Sequence, residues 1–138
     1  MARVLVVGLG NMGRSHALAL LHAGSDIVGL VTRSPVDLPP QLAPLPRVSF
    51  EAGLALRPDI VVIATYTDSH ADLAIRAMEA GAHVFVAKPI AATVQDAKRV
   101  VATAQRLGRK LVVGYILRHH PSWMRLIAEA PAFNRKHS

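Results

Sequence analysis

Short apolar runs alternate with segments of helical periodicity along most of this chain. The runs predict six β-strands, at residues 3–9, 26–32, 47–50, 59–65, 83–88 and 110–115. The segments between them predict helices at residues 11–24, 51–57, 68–81 and 94–108, whereas residues 33–46 contain five prolines and predict a loop. Strands and helices that alternate at this spacing form right-handed βαβ units. The pattern therefore predicts an α/β fold, a single domain with a doubly wound, parallel, six-stranded sheet.

A glycine-rich turn joins the first predicted strand to the first predicted helix. Its sequence, GLGNMG at residues 8–13, has the spacing G-x-G-x-x-G, which in this strand–turn–helix context indicates a dinucleotide-binding Rossmann unit. Gly8 permits the tight turn, Gly10 lets the backbone approach a pyrophosphate, and Gly13 lets the helix pack closely on the strand. The predicted cofactor-binding residues of this turn are Gly8, Gly10, Asn11, Met12 and Gly13. A glycine turn that binds nothing is the alternative.

The end of the second predicted strand bears on the choice of cofactor. NAD sites place Asp or Glu there to accept hydrogen bonds from the ribose hydroxyls, but this chain has Thr32, Arg33 and Ser34. An arginine can pair with a 2′-phosphate and a hydroxyl can support it, so these three residues predict NADP, with NAD as the second choice. The alternative for Arg33 is a solvated loop arginine.

Composition and charge restrict the remaining classes of protein. The chain has 138 residues, enough for one domain, and its formal net charge is +7. The basic residues are spread along the chain and aromatic residues make up only 4%, so we expect no nucleic-acid partner. The sequence has no 18-residue apolar run and no secretory leader pattern, which predicts no membrane partner and a cytoplasmic location. With no cysteine in the chain, and with no carboxylate beside His119 and His120, no metal site is expected.

Three separate motifs resemble one enzyme family. GLGNMGRSH, VVIATYTDSHADLAIRAMEAGAHVFVAKPIA and VVGYILRHHPSWMRL are similar to segments of the Gfo/Idh/MocA oxidoreductases, which include glucose–fructose oxidoreductase and inositol dehydrogenase. The resemblance runs from about residue 2 to residue 127. It implies an N-terminal Rossmann domain that binds NAD or NADP. In the family, a C-terminal α/β domain then supplies most of the substrate pocket and usually mediates oligomerisation.

The resemblance also implies roles for residues after the fourth and fifth predicted strands. The segment ATYTDSH resembles the family's Ala-Thr-Pro-x-x-x-His loop, which implies that Ala64, Thr65 and Tyr66 line the cofactor. His70 opens the next helix, either in contact with the cofactor or held by local hydrogen bonds. Lys88 and Pro89 match the family's Glu-Lys-Pro motif beside the nicotinamide.

Lys88 stands alone as a charge in the apolar run VFVAKPIA. At the end of a strand that faces the cofactor, its ammonium group could stabilise charge that develops on a substrate oxygen, or could shuttle a proton. Lys88 is therefore the predicted catalytic residue, and a cis Lys88–Pro89 peptide bond is expected. The alternative is a lysine whose aliphatic stem packs at the rim of the sheet.

Two features depart from the family. Ala87 stands where the family has its glutamate, and no second domain follows. We expect residues 1–118 to form the dinucleotide-binding domain, and residues 119–138 a C-terminal helix and tail that remain from the link to the second domain. Without that domain, a set of apolar residues lacks an evident cover and predicts self-association, most simply as a homodimer. They are Ile116, Leu117, Trp123, Met124, Leu126 and Ile127.

The expected function is thus that of an NAD(P)-dependent oxidoreductase domain. By resemblance, hydride would pass between the nicotinamide and an alcohol or carbonyl carbon of a polyol, sugar or other small carbonyl substrate. The alternative is a non-catalytic module that binds a dinucleotide without turnover, or that serves interaction alone. The sequence leaves open whether this chain turns over a substrate.

Overall fold

The computed structural model describes residues 2–34 and 36–114, which form one parallel sheet flanked by helices. The strands, in spatial order, are β2 (Asp26–Val31), β1 (Arg3–Val7), β3 (Ile60–Ile63), β4 (His83–Ala87) and β5 (Leu111–Gly114). The helices are α1 (Asn11–His22), α2 (Phe50–Ala55), α3 (His70–Glu79) and α4 (Val94–Leu107), and a short 3-10 turn at Thr67–Ser69 precedes α3. All four strand pairings are parallel, which confirms the predicted α/β class.

The predicted six-stranded sheet is wrong, because residues 47–50 do not form a strand. Arg47 makes a single isolated bridge to Leu30, with the Leu30 N–H donating to Pro46 and the Val48 N–H donating to Leu30. Pro46 has no N–H with which to extend the ladder. On the other side, the Ser49 hydroxyl accepts a hydrogen bond from the Ala52 N–H at 3.1 Å and α2 begins at once. The extended stretch therefore ends after one bridge, and the sheet of the described residues has five strands.

The two faces of the sheet are covered unequally. On one face α2, α3 and α4 enclose a core that contains Leu5, Ile63, Val86 and Val100. On the other face α1 and the loop over residues 36–45 pack on β1 and β2. β4 shows the difference, because its residues alternate between buried positions under α3 and half-buried positions on the face of α1.

Parts of the sequence-based prediction lie outside the described residues. These are Tyr115 of the last predicted strand, the boundary between residues 118 and 119, and the helix and tail that follow. Among the helices that the structure describes, none is long and apolar enough to cross a membrane.

Ser49 offers a test of why the third predicted strand is absent. Ser49→Ala removes the acceptor for the Ala52 N–H, and we expect the free energy of unfolding to fall by about 1 kcal/mol. Urea denaturation followed by circular dichroism measures this. Ser49→Asp keeps an acceptor and should retain most of the stability, whereas an unchanged Ser49→Ala protein would contradict the capping role.

Candidate functional site

The carboxyl edge of the sheet brings four predicted segments together. Residues 8–13 follow β1, residues 32–34 follow β2, residues 64–66 follow β3, and Lys88 and Pro89 follow β4. Because all the strands are parallel, their carboxyl ends lie along one edge. The chain runs from β1 outward to β2 and then crosses back to β3 on the other side of β1. Ligands of open α/β sheets bind at such a reversal of strand order.

Gly8 and Gly13 are required by the packing of the protein itself. Gly8 has a φ of +94°, a conformation that side chains disfavour, and a Cβ there would clash with the carbonyl group of Ala64. A Cβ on Gly13 would meet the carbonyl oxygen of Gly8. The turn after β1, the first turn of α1 and the loop after β3 therefore touch backbone to backbone.

Gly10 differs from these two glycines. Its φ of −70° and ψ of −168° suit any residue, and a Cβ built there meets no atom of the described residues within 4 Å, its chain neighbours apart. The packing of the residues that the structure describes thus gives no reason for glycine at this position. A ligand that approaches the backbone from outside does give one, because a side chain would occupy its place.

The N-terminus of α1 is open for an anion. In the described part of the chain no side chain caps the helix, and its first turn carries no acidic residue. The first N–H groups of a helix have no partner within the helix, and the helix dipole adds positive potential there. Asn11 and Met12 are exposed beside Gly10. These features fit the pyrophosphate of a dinucleotide.

An internal hydrogen bond holds the loop after β2, and the loop carries the positively charged Arg33. The Thr32 hydroxyl donates to the carbonyl oxygen of Ser34 at 2.9 Å, while the Arg33 and Ser34 side chains are exposed. Sequence reasoning missed a second arginine nearby, Arg14. Its guanidinium donates to Asn11 Oδ1 at 2.6 Å and to the carbonyl oxygen of Asp37 at 3.3 Å. The spacing of Asn11 and Arg14, three residues apart on α1, was the signal that could have found it.

The loop after β3 is held by a chain of hydroxyl groups. The Ser69 hydroxyl donates to the carbonyl oxygen of Tyr66 at 2.7 Å, so at 2.6 Å it accepts from the Thr65 hydroxyl. Ala64 joins the loop to the sheet, since its N–H donates to the carbonyl oxygen of Val7 at 2.8 Å. The Tyr66 side chain is 85% exposed. The loop thus presents an exposed aromatic ring, and these hydrogen bonds hold its backbone against the sheet.

His70 lies beneath two of the loops, only 1% exposed. Its Nδ1 is 2.7 Å from the carbonyl oxygen of Pro89, and its Nε2 is 3.0 Å from the carbonyl oxygen of Thr65. Both oxygens can only accept, so a neutral imidazole donates to one of them and a doubly protonated ring donates to both. Contact between His70 and a cofactor stays a prediction. The structure gives the ring another use, to hold the loop after β3 against the loop after β4.

Lys88 stands exposed at the end of β4. Its backbone N–H lies 3.3 Å from the carbonyl oxygen of Gly114 in β5. The Lys88–Pro89 peptide bond is cis, as the sequence predicted. Ala87 is half-buried on the face of α1.

Comparison with known proteins identifies the family. The model of the Gfo/Idh/MocA oxidoreductases, described as an NAD-binding Rossmann fold, matches residues 2–115. The chain belongs to this family. Inositol 2-dehydrogenase 1 of Saccharopolyspora erythraea is 37% identical over 124 residues, which is 89% of this chain and 32% of that protein.

Solved structures of the Gfo/Idh/MocA family share the fold of this domain. UDP-N-acetylglucosamine 3-dehydrogenase GnnA of Acidithiobacillus ferrooxidans superposes with a TM-score of 0.80 at 31% identity, covering 92% of this chain and 42% of that one. The WlbA dehydrogenase of Chromobacterium violaceum, solved with NADH and UDP-GlcNAcA, gives 0.78 at 26% identity, covering 95% and 40%. The chain spans less than half the length of these relatives. The part that matches is their N-terminal, nucleotide-binding Rossmann domain.

Replacement of His70 tests its structural role. His70→Leu leaves the carbonyl groups of Thr65 and Pro89 without this donor, and we expect a loss of about 1–3 kcal/mol in the free energy of unfolding. The same change at the exposed His22 should stay within about 0.5 kcal/mol of the parent. Equal urea midpoints for the two variants would show that His70 does not hold the loops.

Proposed function

We propose that this domain binds NADP(H) in preference to NAD(H) along the carboxyl edge of its sheet. Family membership supports a nicotinamide dinucleotide, and Gly10 is the observation that carries the proposal. A Cβ at Gly8 or Gly13 would clash with the backbone, whereas a Cβ at Gly10 would meet no atom in the described part of the chain. A pyrophosphate above the uncapped end of α1 would use that room.

Each part of the cofactor would meet a different segment. The pyrophosphate would accept from the backbone between Gly10 and Gly13. The adenosine ribose would lie at Thr32, Arg33 and Ser34, and the nicotinamide side would lie at Ala64, Thr65, Tyr66, Lys88 and Pro89. The exposed Tyr66 ring would supply an apolar surface there.

Charge at the end of β2 favours the 2′-phosphate of NADP. Arg33 is exposed, and Arg14 lies on the first turn of the adjacent helix. Residues 32–34 include no carboxylate that could accept from an unphosphorylated ribose. A guanidinium pairs with a phosphate through charge-assisted, often bidentate hydrogen bonds.

The reaction proposed for the whole protein is oxidation of an alcohol, or its reverse, on a polyol or sugar. The names of the relatives support this, since one is an inositol dehydrogenase and another a UDP-sugar dehydrogenase. The bound nicotinamide would accept or donate the hydride. Lys88 would place its ammonium group beside the substrate oxygen and stabilise the charge that develops on it.

A non-catalytic dinucleotide-binding module is the second candidate. Ala87 favours it, because the carboxylate that precedes the lysine in the family is missing here. Bound cofactor without oxidation of any polyol or sugar would support this candidate over the first. The homodimer and the cytoplasmic location stay predictions from the sequence.

Substitution of Gly10 tests dinucleotide binding most directly. Gly10→Ala should leave the free energy of unfolding within about 0.5 kcal/mol of the parent, because the new Cβ meets no atom of residues 2–34 and 36–114. It should weaken NADPH binding at least about tenfold, or about 1.4 kcal/mol, because the Cβ enters the phosphate site. Fluorescence titration with NADPH and urea denaturation measure the two effects.

Gly13→Ala is the matched control for this experiment. Its Cβ meets the Gly8 carbonyl group, so we expect a loss of about 1–3 kcal/mol in stability. A Gly10→Ala protein that binds NADPH as tightly as the parent would show that the open space at Gly10 is not the phosphate site. If neither cofactor binds the parent protein, the proposed function itself fails.

The preference for NADP rests on Arg33. A hydrogen bond to a charged group contributes about 1.5–3 kcal/mol, so Arg33→Ala should weaken NADPH binding at least tenfold while NADH binding hardly changes. Arg106→Ala, a loss of the same charge in the last turn of α4, should change neither affinity. Equal losses for NADPH and NADH in Arg33→Ala would contradict a contact with the 2′-phosphate.

A further inference from the structure

β5 forms one edge of the sheet in the part of the chain that the structure describes. It pairs with β4, in parallel, over Leu111–Gly114. The carbonyl groups of Lys110 and Gly114 accept hydrogen bonds from N–H groups on the β4 side. Because the peptide groups of successive strand residues point to opposite sides, Leu111 and Val113 direct their N–H and C=O groups away from β4. We call this row of groups the outer edge.

The outer edge lacks the features by which proteins usually protect an exposed strand. Residues 111–114, with the sequence LVVG, contain no proline and no charge, and their register with β4 has no bulge. Val112 is 36% exposed on the side of α1. The nearby Arg109 side chain is turned back onto its own chain, where it donates to the carbonyl oxygens of Leu107 and Gly81. An apolar, regular edge of this kind can pair with a further strand.

α4 adds a second apolar layer beside the outer edge. The apolar residues of α4 and β5 that line one notch, together with the glycine that ends the helix, are Val101, Ala104, Gly108, Leu111 and Val113. Val101 is 41% exposed, and Val94, two turns earlier on the same face of α4, is 72% exposed. Small and apolar side chains thus run along α4 beside the outer edge, where the described residues leave them partly uncovered.

We propose that the outer edge pairs with the outer edge of a second copy of this chain, antiparallel about a two-fold axis at Val112. The two five-stranded sheets would then join into one. Each Leu111 would form a hydrogen-bonded pair with the Val113 of the other copy, and the two Val112 residues would face each other between these pairs. The proposal goes beyond dinucleotide binding and does not depend on it.

One two-fold axis suits both layers, which favours a second copy over a foreign strand. α4 leads back from Gly108 to Val101 over about 10 Å, at about 1.5 Å per residue. β5 leads forward from Arg109 to Val112 over about 10 Å as well, at about 3.3 Å per residue. Val101 therefore lies level with Val112, and an axis at Val112 brings the α4 helices of the two copies together at Val101. A foreign strand would require no such agreement between strand and helix.

The two α4 helices would also lie at packing distance. α4 packs over β4 and β5, since Val100 and Ala104 share the core cluster of these strands. Neighbouring strands are about 4.8 Å apart, so two helices centred over these strand pairs would have axes about 10 Å apart, a usual distance for packed helices. At the rim, Lys98 of one copy would lie beside Gln105 of the other, whose side-chain oxygen can accept a hydrogen bond.

The homodimer predicted from the sequence used apolar residues outside the described part of the chain. The outer edge is a different surface for the same kind of partner. Because its strand has 4 residues, we expect a reversible dimer with a Kd in roughly the micromolar range. Cover of the outer edge within one chain is the alternative that the experiments must separate from this dimer.

Sedimentation velocity of the full-length protein tests the α4 layer. The parent should dimerise as its concentration rises, and V101K should weaken the dimer at least about tenfold, because two lysines would meet at the axis. L56K is the matched control, at a leucine that is 38% exposed at the end of α2, which packs on β1 and β2. It should leave the dimer unchanged. Equal Kd values for the two variants, or a parent that stays monomeric at submillimolar concentration, would overturn the proposal.

Amide hydrogen exchange separates the dimer from cover within one chain. The Leu111 and Val113 amides should exchange more slowly as the protein concentration rises, because the second copy would hold them in hydrogen bonds. Slow exchange that does not depend on concentration would overturn the proposal in favour of cover by the same chain. Fast exchange at every concentration would show that the outer edge has no partner.

A cysteine at Val112 tests the position of the axis. The chain has no cysteine, so V112C carries a single thiol. Facing residues of an antiparallel pair that exchange no hydrogen bonds have Cα atoms about 4.5 Å apart, which suits a disulfide. V112C should therefore oxidise to a covalent dimer several-fold faster than L56C, and V101K added to V112C should slow this reaction. Equal rates for V112C and L56C, or no effect of V101K, would contradict an axis shared by β5 and α4.

Discussion

The contact of three backbone segments at the carboxyl edge governs much of this structure. Gly8 and Gly13 lie so close to each other and to Ala64 that no Cβ fits between them. This approach presses the start of α1 against β1 and the loop after β3, and it directs the free N–H groups of α1 into the gap above the strands. Because α1 is held over β1 in this way, it cannot also cover β4 and β5. The uncapped N-terminus of α1 and the face of β4 and β5 that α1 leaves uncovered thus have one common cause.

His70 adds a second connection between loops that the sheet alone would leave independent. One buried ring contacts the loop after β3 through Thr65 and the loop after β4 through Pro89. With Gly8 against Ala64, the loops after β1, β3 and β4 become one continuous frame. A ligand that binds to loops already fixed loses less free energy in ordering them. The frame is therefore suited to hold an extended cofactor at several points at once.

Local sequence signals predicted those elements that depend on interactions between residues close in the sequence. The glycine turn and the helix predicted at residues 94–108 appear where the sequence placed them. The Thr93 side chain caps that helix, which ends at Gly108 with a left-handed φ of +64°. Residues 47–50 were predicted incorrectly because their apolar pattern suits a strand, while Pro46 and the capping bond of Ser49 leave room for a single bridge. The burial of His70, and the face beside α1 that the described residues leave uncovered, depend on how distant segments pack. No periodicity in the chain encodes those contacts directly.

Binding and catalysis rest on different kinds of observation in this domain. Gly8 and Gly13 are explained by the protein's own packing, whereas the described residues give no packing reason for Gly10. Lys88 offers a charge at the right edge of the sheet, but a charge alone does not define a reaction. A protein of the Gfo/Idh/MocA fold could keep dinucleotide binding while its catalysis changes, since the glycine turn and the residue before Lys88 belong to separate loops. Ala87 departs from the family's Glu-Lys-Pro motif in the loop of Lys88, while the glycine turn has every glycine of its pattern.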